Sequence, residues 1–151
     1  FTSQIIALDN ISDPGNLGTI IRLCDWFGIN DLICNTETVD CYNPKVIQAS
    51  MGSISRVNIT YLNFKELLSE KKLNVVAADL KGESMNKFPF QENQIIVFGN
   101  ESLGLSPEIK KIIKNRVTIP RYNSNYDIES INVANSVAII LSELKNRSTG
   151  R

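Results

Sequence analysis

A strand, a glycine-containing turn and a helix start follow one another in IIVFGNESLGLSPEI, residues 95–109. The first four residues are apolar without alternation, as is usual for a strand of a parallel sheet that is covered on both faces. Gly99 and Gly104 flank a polar turn in which the backbone can approach a ligand closely. Ser106, followed by Pro107, marks the start of a helix. The stretch therefore predicts one strand–loop–helix unit of an α/β domain.

Apolar β-branched runs alternate with amphipathic stretches along the rest of the chain, without a low-complexity linker or an internal repeat. This alternation predicts a single α/β domain over residues 1–151, with a parallel central sheet flanked by helices. Strands are predicted at 4–8, 31–34, 57–61, 74–78, 94–98 and 116–119. Helices are predicted at 16–27, 44–49, 64–72, 107–114 and 130–145.

The composition excludes several classes of function. Sixteen basic and sixteen acidic residues give a net charge of zero, so an RNA or another polyanion must bind a local basic patch. No apolar run approaches the roughly 20 residues of a membrane span, which predicts no membrane contact. The chain has no histidine, which excludes a Ser-His-Asp or Cys-His mechanism and every histidine-ligated metal site.

The three cysteines, Cys24, Cys34 and Cys41, match neither a metal knuckle nor an even disulfide framework. They predict reduced thiols, no metal site and a cytoplasmic location. The chain begins with FTSQIIALDN, which has no initiator methionine and no signal peptide. We therefore expect an isolated C-terminal domain of a longer protein, with substrate choice partly determined elsewhere.

The loop after the first predicted strand is DNISDPGNLGTIIR, residues 9–22, in which a helix begins near Asn16 and Gly18. The unpaired amides at a helix start can hold an anion. Arg22 follows Asn16 by six residues, so we predict that its guanidinium grips the same phosphate. The alternative is a capped helix with a solvated arginine, and this loop taken alone favours that alternative.

Glu101 lies between the two glycines of the 95–109 stretch. The stretch lacks a G-x-G-x-x-G fingerprint and no lysine follows Gly104, so a dinucleotide or nucleoside triphosphate site is disfavoured. An acid in this turn can orient a sugar hydroxyl or offset a cationic ligand. The alternative is a solvated carboxylate in an ordinary strand-to-helix loop.

A third loop belongs to VTIPRYNSNYDIESINVANSVAII, residues 117–140. Ser130 is the predicted N-cap of the last helix. Asn132 then falls inside the first turn, where asparagine has low helix propensity, so we predict that its side chain makes a specific hydrogen bond.

Two basic residues flank a stretch of small residues in NPKVIQASMGSISR, residues 43–56. Lys45 and Arg56 face an RNA substrate if this stretch lies at the site. The alternative is a helix that ends at Gly52 and leaves both side chains in solvent.

The predicted last helix, 130–145, is apolar over more of its surface than packing on one side requires. We therefore predict that it faces both the core and a second chain, in a homodimer. The apolar positions are Ile131, Val133, Ala134, Val137, Ala138, Ile140, Leu141 and Leu144.

Four segments stand in a fixed order along the chain: DNISDPGNLGTIIR, NPKVIQASMGSISR, FGNESLGLS, and IP followed by SINVANSVA. Together they closely resemble the SpoU (TrmH) family of SPOUT RNA methyltransferases, over essentially the whole chain. The resemblance implies a SPOUT fold with a C-terminal trefoil knot, a homodimer, S-adenosylmethionine as cofactor, and methyl transfer to a ribose 2′-hydroxyl of tRNA or rRNA. Threaded chains are rare, so general physical rules argue against a knot. The resemblance is the only ground for expecting one.

The resemblance also implies roles for individual residues. The implied catalytic residues are Asn16, Arg22, Glu101, Ser130 and Asn132. The residues implied to hold the cofactor, largely through backbone groups, are Ala78, Asp79, Leu80, Phe98, Gly99, Asn100, Gly104, Ile119, Ile128 and Ile131. The residues assigned to RNA contacts are Arg22, Lys45, Arg56 and Arg121.

With no histidine, the proton of the ribose hydroxyl must go to Arg22, Glu101, a phosphate or water. Arginine is proposed as the base in this family, but its pKa above ~12 makes a neutral guanidinium costly, so we rank Arg22 as a phosphate clamp first. In the homodimer, Arg22 is expected to serve the partner's cofactor. The sequence after the last helix lacks an extended basic segment, which favours rRNA over tRNA. The competing interpretation is a noncatalytic RNA-binding or dimerisation module on the same fold.

Overall fold

The computed structural model, which describes residues 4–68, 73–123 and 130–148, contains a parallel β-sheet. Its strands are β1 (Ile5–Asp9), β2 (Asp31–Asn35), β3 (Asn58–Leu62), β4 (Val75–Ser84), β5 (Ile95–Gly99) and β6 (Arg116–Thr118). They pair in the order β3-β2-β1-β5-β4-β6, and every pair is parallel. The predicted parallel sheet is confirmed, and every strand except β4 agrees with its predicted range to within one residue at each end.

Helices connect the strands. The α-helices of the described residues are α1 (Pro14–Trp26), α2 (Pro44–Ser50), α3 (Phe64–Leu68), α4 (Pro107–Ile112) and α5 (Val133–Ser148), and a 3-10 helix spans Ser53–Ser55. Proline begins α1, α2 and α4, where its missing N–H costs no hydrogen bond. The predicted start of α1 is two residues late, because the carboxylate of Asp13 caps the helix by accepting from the Asn16 amide at 2.7 Å.

Both faces of the sheet are buried. β1 is buried at every position, and β5 at every position but its last. On one face, α1 and α5 pack around residues that include Ile6 and Ile96. On the other face, α3 and α4 cover a second cluster that includes Ile5 and Val97. The strands are apolar without alternation because successive side chains enter two different cores.

The fourth strand runs past its predicted end at residue 78. Ala78 and Glu83 both pair with Val117 of β6, so residues 79–82 leave the ladder as a bulge. A Cβ atom on Gly82 would lie 2.5 Å from the carbonyl carbon of Val117, which explains why a glycine stands where the chain returns to the sheet. The bulge places residues 79–82 beside the carboxyl end of β5.

Most of the apolar surface of α5 is buried within the chain itself. The helix packs against both α1 and β5, and two neighbouring elements bury a wider stripe than one does. Ile131 precedes the helix and is 46% exposed. Ala138 of the predicted stripe is only half-buried, and the prediction that this helix also faces a second chain stays a prediction. Its buried residues are Val133, Ala134, Val137, Ile140, Leu141 and Leu144.

Two further expectations concern the course of the chain. The trefoil knot stays a prediction, and Ile128 lies outside the described residues. Across the described ranges, no helix has the length and apolar character needed to cross a membrane.

Candidate active site

A cavity of about 320 Å³ opens at the carboxyl edge of the sheet, beside β4, β5 and β6. Its walls are formed by residues 78–80, 98–105 and 117–119, and by the start of α5. Open α/β sheets bind their ligands at this edge, because the loops that follow parallel strands meet there.

The cavity brings together most of the residues that the sequence predicted for the cofactor. Those that line it are Ala78, Asp79, Leu80, Phe98, Gly99, Asn100, Gly104, Ile119 and Ile131, while Ile128 lies outside the described residues. The lining residues that the sequence reasoning missed are Ser102, Leu103, Leu105, Lys110, Val117, Thr118, Val133, Ser136 and Ile140. Most of these are chain neighbours of predicted residues. Lys110 and Ile140 reach the cavity from helices, which no local pattern indicates.

The loop after β5 closes into a tight turn between Asn100 and Gly104. The backbone amide of each residue donates to the carbonyl of the other at 2.9 Å. Gly104 has a φ of +68°, and a Cβ atom on Gly99 would lie 2.3 Å from the Gly104 carbonyl carbon. Gly104 is therefore favoured by its left-handed backbone, and Gly99 is required because the backbone of the turn packs directly against it.

The side chain of Asn100 fastens this turn to the loop after β1. Its Nδ2 donates to the Asn10 carbonyl at 2.7 Å. Its Oδ1 accepts from the amides of Ser102 and Leu103 at 2.9 and 3.0 Å. Asn10 has a φ of +62°, a left-handed conformation that asparagine tolerates. The Asn100 side chain thus holds the shape of the loop.

Glu101 turns its carboxylate toward the start of α1. Oε1 accepts from the Asp13 amide and from Asn16 Nδ2, both at 3.1 Å. Oε2 accepts from the amide and the hydroxyl of Ser12, at 3.3 and 3.2 Å. The interpretation of Glu101 as a merely solvated carboxylate is therefore wrong.

These donors hold the pKa of Glu101 below its ordinary value. Partial burial alone would raise the pKa, because it disfavours the charged form. The hydrogen bonds from the Glu101 amide, from Asn16, and from the amides of the two residues before α1 outweigh burial. Glu101 is therefore ionised at neutral pH, and both of its oxygens are already engaged.

Asn16 connects Glu101 to the start of α5. Its Oδ1 accepts from Asn132 Nδ2 at 3.0 Å while its Nδ2 donates to Glu101. The hydrogen bond predicted for Asn132 is confirmed. We call these three side chains the amide–carboxylate cluster, which joins the loop after β1, the loop after β5 and the start of α5.

Asn132 also caps α5. Its Oδ1 accepts from the amides of Ala134 and Asn135 at 2.9 and 3.2 Å. The prediction of Ser130 as the N-cap is wrong, because the helix begins at Val133 and Asn132 is the residue before it. Ser130 is exposed and lines the cavity.

The sequence model of the SpoU rRNA Methylase family matches residues 3–142. The chain belongs to this family. It is 27% identical over 146 residues to the 23S rRNA (guanosine(2553)-2'-O)-methyltransferase RlmP of Bacillus subtilis, an alignment that covers 94% of this chain and 58% of that protein.

Solved structures of related proteins have the same fold. A protein assigned to the TrmH family of RNA methyltransferases, from Porphyromonas gingivalis, superimposes with a TM-score of 0.90 at 40% identity, over 97% of this chain and 60% of that one. An AdoMet-bound rRNA methyltransferase from Sinorhizobium meliloti superimposes with a TM-score of 0.86 at 30% identity, over 96% of this chain and 56% of that one. The chain thus spans little more than half the length of these relatives.

Arg22, the family's first-motif arginine by resemblance, stands apart from the cluster. It is exposed, it does not line the cavity, and it makes no hydrogen bond or ion pair with the part of the chain that the structure describes. Six residues of helix place Arg22 about 120° around the axis from Asn16 and about 9 Å along it. That both side chains grip one phosphate stays a prediction.

The other basic residues predicted to contact RNA also lie away from the cavity. Lys45 is exposed in the first turn of α2, and Arg121 is exposed just beyond β6. Arg56 donates to Asp25 of α1 from Nε at 2.9 Å and from Nη2 at 2.7 Å, and this pairing lowers the pKa of Asp25. A phosphate at Arg56 would have to compete with this ion pair.

The acids and thiols show no arrangement for a metal ion. Among the described residues, no group of three His, Cys, Asp or Glu side chains could hold one. Cys24, Cys34 and Cys41 are free and buried, as predicted. Burial, together with a neighbouring thiol, raises the pKa of Cys24 and of Cys34 to about 12, so neither is a nucleophile at neutral pH.

Proposed function

We propose that this domain transfers a methyl group from S-adenosylmethionine to a ribose 2′-hydroxyl of RNA. One observation carries the proposal: a ligand-sized cavity and the amide–carboxylate cluster share the loop after β5, with Glu101 belonging to both. Membership of the SpoU family supports it, as do the AdoMet-bound relative and the relative named for 2'-O methylation of 23S rRNA.

The cavity fits this cofactor in size and in chemistry. Its volume of about 320 Å³ falls in the roughly 300–1,000 Å³ range of small-molecule sites. Leu80, Ile119 and Ile131 offer apolar surface to an adenosyl group, and the turn at Gly104 offers backbone groups without side chains in the way. When bound, S-adenosylmethionine supplies a methyl group on a positively charged sulfur.

The residues of the cluster act by position. Glu101 is ionised and already accepts from several donors, so it orients Asn16 and is a poor acceptor for the proton of the ribose hydroxyl. Each amide nitrogen of Asn16 and Asn132 has a second N–H that the cluster does not use, and these can donate to a ribose or phosphate oxygen. The proton then goes to Arg22, to a phosphate or to water. For Arg22 itself, we rank the role of phosphate clamp above the role of base.

We propose that two copies of the chain complete the site. Arg22 is exposed and makes no hydrogen bond to the cluster of its own chain, so the Arg22 of a second copy is available to approach that cluster. The mouth of the cavity supports this arrangement, because Leu80, Leu103 and Ile131 are 66%, 81% and 46% exposed there. A second chain would remove this apolar surface from water.

We favour rRNA over tRNA as the substrate, since the Bacillus subtilis relative is named for 23S rRNA. We place the protein in the cytoplasm, because three free, buried cysteines suit a reducing compartment.

Calorimetry with S-adenosylmethionine and with its demethylated product tests the cofactor site. We expect both to bind. If neither compound gives a heat of binding or a thermal shift, the proposed methyltransferase activity is overturned. The alternative is then a noncatalytic RNA-binding or dimerisation module on the same fold. Incorporation of labelled methyl groups into total rRNA and total tRNA then tests the substrate, and labelling of tRNA alone would overturn the preference for rRNA.

A further inference from the structure

We infer that Asp9 is a positioning residue for the loop that lines the cavity, an inference that rests on the proposed function. Asp9 is the last residue of β1 and is fully buried. No step of the proposed chemistry uses it. A buried carboxylate is expensive unless fixed donors satisfy it, so its hydrogen bonds indicate what it does.

The carboxylate of Asp9 joins two loops at the carboxyl edge of the sheet. Oδ2 accepts from the Ser106 amide at 2.7 Å, and Oδ1 accepts from Asn35 Nδ2 at 3.1 Å. Asp9 also stands beside Gly99 in the register of β1 and β5. Asp9 therefore lies next to Gly99, where the loop after β5 begins, and binds Ser106, where that loop ends.

A carboxylate has two acceptor oxygens and therefore serves both donors at once. An asparagine at this position has one oxygen, so its NH₂ group would face either the Ser106 amide or the Asn35 amide. An apolar residue would avoid the buried charge and leave both donors unsatisfied. The short bond to Ser106 is of the charge-assisted kind, which is stronger than a neutral one.

The loop after β5 is thus held at three points by the segment after β1. Asn100 bonds Asn10 at the start of the loop, Glu101 bonds the start of α1, and Asp9 bonds Ser106 at the end. Loss of the third point releases the loop next to Gly104, where it lines the cavity. Cofactor affinity should therefore fall while contacts to RNA persist.

The test measures the dissociation constant for S-adenosylmethionine of Asp9→Asn by calorimetry, well below the melting temperature. We expect weakening of about tenfold, as for the loss of one hydrogen bond to a charged group, with the KM for RNA changed less than about twofold. The control is Thr38→Val, which removes a buried hydroxyl that donates to the Leu8 carbonyl and does not touch the loop. It should destabilise the fold without changing cofactor affinity.

A double variant separates positioning from general damage. In Asp9→Asn combined with Asn35→Asp, the oxygen of residue 9 can accept from Ser106 while its NH₂ group donates to the new acid, and the Asn10 amide, which accepts from Asn35 Nδ2 at 2.8 Å, can turn to donate to the same acid. We expect this exchange to restore cofactor affinity to within about threefold of the wild-type value. Equal affinity of Asp9→Asn and the wild type, or equal loss of affinity in Asp9→Asn and Thr38→Val, would overturn the inference.

Hydrogen exchange of the free protein keeps this result distinct from the proposed function. The Ser106 amide should be protected in the wild type and in Thr38→Val, and should exchange faster in Asp9→Asn. If the wild type binds no cofactor, the proposed function fails, and unchanged exchange at Ser106 would then overturn the role of Asp9 in holding the loop.

Discussion

Asn16 and Arg22 lie on the same helix, six residues apart, and meet opposite surroundings. The short amide of Asn16 is held on both sides by partners from its own chain, Glu101 and Asn132. The long guanidinium of Arg22 is exposed and pairs with none of the described residues. Under the proposed function, this difference is explained if Arg22 meets its partner in another molecule, an RNA phosphate or a second copy.

The largest effect should come from removing Arg22. We expect Arg22→Ala to lower methyl transfer by about a thousandfold or more, because a group that acts only on bound RNA contributes to the transition state. Its affinity for S-adenosylmethionine should stay within about twofold. Lys111→Ala, which removes one exposed positive charge from α4, controls for net charge. Equal loss of activity and cofactor affinity would assign Arg22 to the cofactor or to folding.

Mixed dimers test whether the partner of Arg22 is a second copy. Arg22→Ala and Glu101→Gln chains are each expected to be inactive, and the two are then refolded together. Random mixing makes about half of the dimers mixed, and a composite arrangement gives each mixed dimer one intact site, so about a quarter of wild-type activity should return. A mixture as inactive as its parents would mean that both residues serve the same chain, and a monomer in solution would also contradict the arrangement.

Local sequence patterns were sufficient to predict the strands of the sheet. They were insufficient to predict which residues of the site form hydrogen bonds with one another. The strands were predicted because apolar runs such as Ile95–Gly99 follow directly from burial on two faces. The hydrogen bonds of Asn16 span 85 and 116 residues of sequence, and depend on how three loops meet at one edge. Family motifs supplied the identity of these residues, but no pattern indicated that they bond one another.

The errors have local causes. Ser130 and Asn132 are both good N-caps by composition, and the choice between them follows from the bond to Asn16, which sequence does not contain. The periodicity of α5 gave the width of its apolar stripe and not the number of elements that cover it, so the stripe alone does not decide whether a second chain packs there. The bulge in β4 requires a partner strand 35 or more positions away, at Val117.

The contribution of the charged Glu101, which accepts a hydrogen bond from Asn16, can be tested by its effect on stability. Because the folded-state pKa is lowered, the carboxylate stabilises the fold above its ordinary pKa near 4.5, and this contribution is lost as the pH falls through the folded-state value. At pH 7, Glu101→Gln should lower the free energy of unfolding by about 1 kcal/mol, a low value because solvent screens a partly exposed group. Urea unfolding should show this difference shrinking toward pH 3.

A matched variant is Glu92→Gln, which removes an exposed acid from the connection before β5. Its free energy of unfolding should follow that of the wild type across the same pH range. A constant difference between Glu101→Gln and the wild type from pH 7 to pH 3 would show that the hydrogen bonds to Glu101 do not depend on its charge.

The smallest effect concerns the far end of the cluster. Asn132→Ala removes the N-cap of α5 and should lower the free energy of unfolding by about 1 kcal/mol, whereas Ser130→Ala should stay within about 0.5 kcal/mol because Ser130 caps no helix. Asn132→Ser keeps a capping oxygen but lacks the amide that reaches Asn16, so it should retain most of the stability and still lose methyl transfer. Thermal unfolding gives the first quantity and labelled methyl incorporation the second. If Asn132→Ser were as active as the wild type, the hydrogen bond from Asn132 to Asn16 would serve the fold alone. The contrast between Asn16 and Arg22 would then concern their exposure and not their roles in methyl transfer.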